Sequence, residues 1–341
     1  MSETSCVVRP YRPGDEHGIV ALWNVVFGEG APDFEPRTLA QWRWLWDENP
    51  MGRRIMVGVA PDGQIISHYG ALPARIAIGG AVHVSAQMID SMVHPDWRKG
   101  LQKEGVFLRT AKAFFEGYSQ LPECAVHYGF PNRRVYPIGR RLLKYNPFIA
   151  PVPVVFRNFF QDGDDDAVGR DHAQAADVVE VERFPAEVDA LWSALAPSYP
   201  FAHVRDHAYL RWRYDACPWL PYRRYLIREK SSGTLRGWFV LRTQWQKLPI
   251  LAVTDWFGAP DDAPAMALAL RTATAVARAT GHARIEAWLP ERHPAFGHAL
   301  AAGFRTEPGL YVFCMNLFVE RPTREEALAQ WWYTIGDSDV W

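Results

Sequence analysis

Between His94 and Gly105 one arginine and two glycines, Arg98, Gly100 and Gly105, fall within eight residues of a helix start. Unpaired backbone N–H groups and the helix dipole at such a start both point at an anion, and glycine lets phosphate oxygens approach the main chain. The chemistry this suits is the gripping of a pyrophosphate, and hence of a phosphorylated cofactor. Taken alone, the segment also reads as an ordinary basic strand-to-helix turn.

The elements on either side favour the cradle. Gln87 to Val93 reads as a buried strand, and Phe107, Ala111, Phe114, Phe115 and Tyr118 recur at three- and four-residue spacing, an apolar stripe that packs a helix on a sheet. Val7 to Arg9 suggests a strand, Asp15 to Val26 a helix starting near Gly14, and Leu39 to Trp46 a second helix. Hairpin strands follow at Ile55 to Ala60 and Ile65 to Leu72, joined at Asp62 and Gly63.

The chain has 341 residues, 48% of them hydrophobic, which is enough for two packed cores. A net charge of −1 argues against a protein held on nucleic acid by its overall field. The four cysteines are scattered without a CxxC pair, so neither a zinc knuckle nor a disulfide scaffold is expected, and a reducing cytoplasm fits. No run approaches the roughly 20 apolar residues that span a bilayer, so no membrane insertion is expected. The oligomeric state is left open.

The chain also repeats itself. Trp42, Arg43 and Trp44 precede a turn at Gly63, as Trp212, Arg213 and Tyr214 precede one at Gly233, both at an offset of 170 residues. Asp90 and Asp255 each stand five residues before a proline, at an offset of 165; Phe130 to Arg133 matches Leu289 to Arg292 at 159. Matches in constant order imply two copies of one mixed α/β unit. The expected domains are 1–160, an acidic linker or surface loop at 161–180, a second copy at 181–322 that runs through the same order after Phe184, and an aromatic tail at 323–341.

A strand, two helices, a hairpin, a strand ending at Val93 and Pro95, a helix and a strand ending at Gly129 to Asn132 together resemble the GNAT superfamily of acetyl-CoA-dependent N-acetyltransferases, doubled in tandem. The fold implied is an α/β mixed sheet in each of two GNAT-like domains. Carried over from the resemblance, Met92 and Val93 hold the pantetheine arm; Arg98, Lys99, Gly100 and Gly105 lie at or beside the phosphates; Asn132 belongs to the cofactor site. Four residues, Leu101 to Glu104, separate Gly100 from Gly105, a wider spacing than the superfamily's turn. The second copy has Asp255, Asp261 and Asp262 in this region, where carboxylates would repel a diphosphate.

Acetyl transfer to an amine needs a proton acceptor and an acid for the departing thiolate. Asp90, on one strand face with Met92 and His94, is the first candidate base; its other reading is a carboxylate paired with an arginine for structure, which the duplicate Asp255 strengthens. His127 is a second candidate base, or else a core histidine. Tyr136, four residues after Asn132, is the candidate acid, although the superfamily's tyrosine position falls on Gly139. The aromatic tail is expected to dock over an apolar seam, and its terminal carboxylate is a further candidate base.

The expected activity is acetyl or acyl transfer from acetyl-CoA, the co-substrate, without a metal, to a small-molecule amine such as an amino sugar entering between the copies. The rivals are a Fem-type aminoacyl-tRNA-dependent peptidyl transferase and a non-catalytic acyl-CoA-binding scaffold.

Overall fold

The computed structural model describes residues 6–31, 34–98, 105–133, 136–143, 150–159, 175–243 and 248–339. Lys99 and Gly100 of the proposed cradle, most of the acidic 161–180 stretch and the C-terminal carboxylate lie outside them. Contacts divide the chain into two compact units, one of residues 1–75, 83–149 and 313–321, the other of 76–82, 150–312 and 322–341.

The first unit contains β1 (Val7–Pro10), α1 (Asp15–Gly28), α2 (Leu39–Trp46), β2 (Arg54–Val59), β3 (Ile65–Ile78), β4 (Ala81–Val93), α3 (Val106–Tyr118), β5 (Val126–Gly129) and α4 (Tyr136–Leu143). Local chemistry sets these bounds. Gly14 enters α1 at φ 102, a left-handed geometry that only glycine adopts freely, and Asp15 ties the entry to Arg9 at 2.6 Å. Thr38 and Gln41 form a reciprocal capping box at the start of α2. The β2–β3 turn has Gly63 at φ 89.

The hydrophobic core of this unit lies on both faces of its sheet. On β3, Tyr69 packs against Phe107, Phe114 and Phe115 of α3, whereas the adjacent His68 points the other way, edge-on to Trp46 of α2. Trp42, Trp44 and Trp46 are all buried. The apolar stripe expected on α3 therefore covers one face, and α2 covers the other.

The second unit repeats this plan, with β6 (Ala150–Asn158), β7 (Ala176–Val181), α5 (Val188–Leu195), β8 (Phe201–His203), α6 (His207–Leu210), β9 (Tyr222–Glu229), β10 (Leu235–Arg242), β11 (Ile250–Gly258), α7 (Ala263–Ala279), β12 (Arg284–Trp288), α8 (Pro294–Ala301), β13 (Arg305–Leu317), α9 (Arg324–Gln330) and β14 (Trp331–Trp332). Its first strand, β7, begins before Phe184 and inside the stretch expected to be a linker, because the valines of Ala176–Val181 pair with β9 along their length. Counted from the helix N-caps Thr38 and Asp206, Trp44 rather than Trp42 matches Trp212, and α6 runs on as a π turn, Arg211–Asp215, that holds an extra residue.

Each unit completes its sheet with a strand from the other half of the sequence. The end of β13 pairs antiparallel with β5, Cys314 opposite Gly129 through Leu317 opposite Val126. In the second unit β12 pairs antiparallel with β6, Arg284 opposite Asn158 through Trp288 opposite Val154. A contiguous cut near residue 160 does not reproduce these exchanges.

The tail is an internal part of the second unit. β14 pairs in parallel with β8, Trp331 lies 4.3 Å from Phe201 between ring centroids, and Ile335, Gly336, Asp337 and Ser338 are buried. Arg213 donates to the carbonyls of Gly336 and Ser338 at 3.0 and 3.1 Å. A side chain at Gly336 would stand 2.1 Å from the Tyr214 hydroxyl, so glycine is required by space alone. Apolar packing of the tail, as expected, is joined here by a polar lock.

Candidate active site

β4 and β5 run parallel and pair only from Ser85–Val126 to Gln87–Tyr128. Beyond that no further β4–β5 pair forms among the described residues. Three residues further on, Asp90 has φ 51 and is the only non-glycine residue with positive φ among the described residues. A left-handed residue bulges the strand and re-aims its side chains, so the two-residue alternation expected for Asp90, Met92 and His94 does not carry across it.

At the bulge Asp90 accepts from Trp23 Nε1 on α1 at 3.1 Å, and its other oxygen takes a short ion pair from Arg37. The paired carboxylate weighed from the sequence is thus present, and its arginine is Arg37. Its carbonyl is 2.7 Å from His68 Nδ1. Two donors on a carboxylate leave accepting capacity on each oxygen.

Asp255, the duplicate, is saturated. Oδ1 accepts from Trp256 N and Thr334 Oγ1 at 2.9 Å each and Oδ2 from Tyr214 at 2.7 Å, while Arg205 Nε reaches both oxygens at 3.2 and 3.3 Å. Burial pushes its carboxyl up, against the pull of Arg205. Nothing further is free to bind there.

The helix starts differ in the same sense. Gly105 precedes α3, and among the described residues no side chain caps this start and its first turn holds no acidic residue, a setting that suits an anion. At the start of α7 the Asp262 carboxylate accepts from Ala265 N at 3.0 Å and also pairs with Arg236. That N-terminus carries its own anion.

Of the other sequence candidates, Arg98 is exposed and donates Nε to the Val93 carbonyl at 3.3 Å and Nη1 to Glu29 at 2.9 Å, so Val93 and Arg98 are held together in this state. Met92 is buried, its carbonyl accepting from Ser67 at 3.3 Å. Asn132 accepts at its carbonyl from Tyr136 N at 3.1 Å, at the start of α4. Tyr136 is buried there, and burial raises its phenol so that it keeps its proton.

His127 is not brought to Asp90. It packs on the α3 face among Phe114, Phe115 and Phe318, with Nε2 3.1 Å from the Tyr118 carbonyl. Burial lowers its imidazole to about 4, too weak a base for proton abstraction near neutrality. It is a core histidine. The residue the sequence reading missed is Arg37; the signal was an arginine just before each second-helix N-cap, Arg37 before Thr38 and Arg205 before Asp206.

Among the described residues no helix is long and apolar enough to cross a membrane, and no group of three histidines, cysteines or acids is placed to hold a metal ion.

Residues 7–138 match the family described as acetyltransferase (GNAT) domain. No curated protein sequence matches the chain. Among solved structures, a conserved Enterococcus faecalis protein described as a probable N-acyltransferase aligns at TM-score 0.59 and 11% identity, covering 92% of this chain and 73% of that one. A tandem GNAT protein from the clavulanic acid biosynthesis pathway aligns at 0.57 and 14%, covering 93% and 100%. Saccharomyces cerevisiae N-myristoyltransferase with bound myristoyl-CoA aligns at 0.57 and 12%, covering 93% and 80%. At such identities the alignments speak to fold, and the domain match to the class of chemistry, acyl transfer. Residues 7–138 thus carry a GNAT acetyltransferase domain, and the chain as a whole shares the fold of tandem GNAT proteins.

Proposed function

We propose that the first unit transfers an acyl group, acetyl in the simplest case, from its CoA thioester to the amine of a small molecule, and that the second unit is structural. The observation that carries this reading is the contrast between the helix starts, one at Gly105 with no side-chain cap among the described residues and one on α7 with a resident carboxylate, Asp262. The residues present fit a CoA thioester: the α3 amides with Arg98, Lys99, Gly100 and Gly105 for the diphosphate, Met92, Val93 and Asn132 for the arm. A bound thioester supplies an activated acyl carbon.

The chain's own groups do the rest. Asp90, with accepting capacity left on both oxygens, receives a proton from the acceptor amine. Tyr136, kept protonated by burial, donates toward the sulfur that departs. Arg98 must release Val93 and Glu29 to meet a phosphate, an exposed pairing of small cost.

Calorimetric titration of acetyl-CoA tests the cradle. Wild-type protein is expected to take it up, and Gly105→Asp, which copies Asp262, to bind about 30-fold more weakly, the equivalent of about 2 kcal/mol for a carboxylate at the helix start. Unchanged affinity in Gly105→Asp would place the diphosphate elsewhere; no uptake by folded wild-type protein would end the transferase reading.

A further inference from the structure

The chain contains two aspartate–arginine pairs built alike and closed differently. Arg37 and Arg205 each stand one residue before a helix N-cap and each grips the aspartate at a strand irregularity, Asp90 or Asp255. In the second unit a piece of the chain itself sits on the pair. Thr334 Oγ1 donates to Asp255 at 2.9 Å, and the Asp337 carboxylate accepts from Arg205 Nη2 at 2.6 Å. The hydroxyl and carboxylate oxygens of this segment lie 3.4 Å apart.

The first unit leaves its pair more open. The side chains of Arg37 and Asp90 are 8% and 7% exposed, against 0% for both Arg205 and Asp255. Arg37 gives Nη1 to Asp90 and lays its guanidinium over the Trp23 ring at 4.1 Å, and its Nε and Nη2 make no hydrogen bond among the described residues. Beside it Trp23 packs on Phe27 and Phe34 at 4.9 and 5.4 Å between centroids, with Phe27 43% exposed. A guanidinium with unused donors, an aspartate with unused acceptor sites and an aromatic wall meet in one place.

We infer that the Arg37–Asp90 pair is the acceptor subsite, and that the acceptor is a small amine that also carries a carboxylate at amino-acid spacing. This rests on the transferase reading and adds the substrate class to it. The amine takes the place that the Thr334 hydroxyl has on Asp255, the carboxylate takes the place of Asp337 on the arginine, and the aromatic wall receives an apolar side chain. The 3.4 Å between the two groups in the tail segment is close to the nitrogen-to-oxygen separation within an α- or β-amino acid. N-acylation forms the C–N bond, breaks the C–S bond and sheds two protons from the ammonium group. One proton ends on the released thiol and the other leaves to solvent through Asp90.

The test uses the full chain with saturating acetyl-CoA, the common amino acids and the same compounds with the carboxyl group amidated. Thiol release reads turnover, and calorimetry reads saturable binding. At least one free amino acid is expected to exceed its amide roughly 100-fold in kcat/KM, the scale set when a site's charged donor is left without its partner. Arg37→Gln should reduce that ratio to about 5-fold or less, chiefly through the KM of the free acid, and Arg37→Lys, which keeps a cation against Asp90, should retain about 10-fold. Lys substitution covers the case in which the glutamine variant fails to fold.

Amides used as well as acids, or neither set bound or turned over by protein that takes up acetyl-CoA, would overturn the assignment and leave the transferase reading standing. Absence of acetyl-CoA uptake removes both.

Discussion

Asp337→Ala is expected to lower the melting temperature by about 10 °C, because removing one partner of a fully buried ion pair costs about 3–5 kcal/mol. Arg205 is completely buried and shared between Asp255 and Asp337, with His203 Nδ1 on the other Asp337 oxygen at 2.9 Å and Thr334 N donating at 2.8 Å. Without Asp337, the hydrogen bonds that tie the tail to Arg205 and His203 are lost. Arg205 keeps Asp255, but the guanidinium edge that faced Asp337 is left buried without its partner. Scanning calorimetry of wild type and variant reads the difference, and equal melting temperatures would show that the tail is not locked by this pair.

The same carboxylate sets an acid limit. Burial alone would raise Asp337, but the Arg205 charge and the His203 and Thr334 hydrogen bonds outweigh it and hold the group well below the usual carboxylate range. A carboxyl lowered on folding contributes stability above its unfolded value, about 3.9, and that contribution is lost as pH falls from there toward the folded value. Wild-type melting temperature should therefore drop steeply below about pH 4, and Asp337→Asn, already less stable at neutrality, should show a shallower drop over the same interval. Parallel pH profiles would contradict the assignment.

Asp90→Asn is expected to reduce kcat at least about 100-fold, the lower range for a lost general base, while the melting temperature changes by only a few degrees. Asparagine keeps an oxygen for Trp23 Nε1 or Arg37 and nearly the same volume, so the bulge and the aromatic packing survive. It cannot take the proton. A purely structural pair predicts the reverse, reduced stability with unchanged specific activity, so calorimetry and turnover of the same variant separate the cases. The comparison with Asp255 favours catalysis at Asp90, since the same residue in the second unit has every acceptor position taken.

These effects sort by unit. Asp337→Ala is expected to act on the second unit's fold, whereas Asp90→Asn and Gly105→Asp are expected to act on the proposed ligands of the first. The tail residues Thr334 to Asp337 and the cap Asp262 place the chain's own carboxylates where the first unit has open donors. That is a physical reason for one copy to retain chemistry and the other to serve structure.

Much of the fold was legible because it is written in local physics. The start of α1 at Gly14, the Gly63 turn and the apolar stripe of α3 are fixed by backbone sterics and periodicity within a few residues, so they could be read before any contact was known. The open helix start at Gly105 and the acidic one at Asp262 were readable for the same reason.

Only tertiary structure decided which distant groups meet. No spacing announces that Arg37 lies on Asp90, that the Asp337 carboxylate reaches Arg205 across 132 positions, or that β6 and the end of β13 complete sheets begun elsewhere in the sequence. Nor does a histidine on a strand declare its face: His127 turned toward Phe114 and Phe318, where burial strips it of basicity, because strand alternation sets the side but only packing shows what waits there.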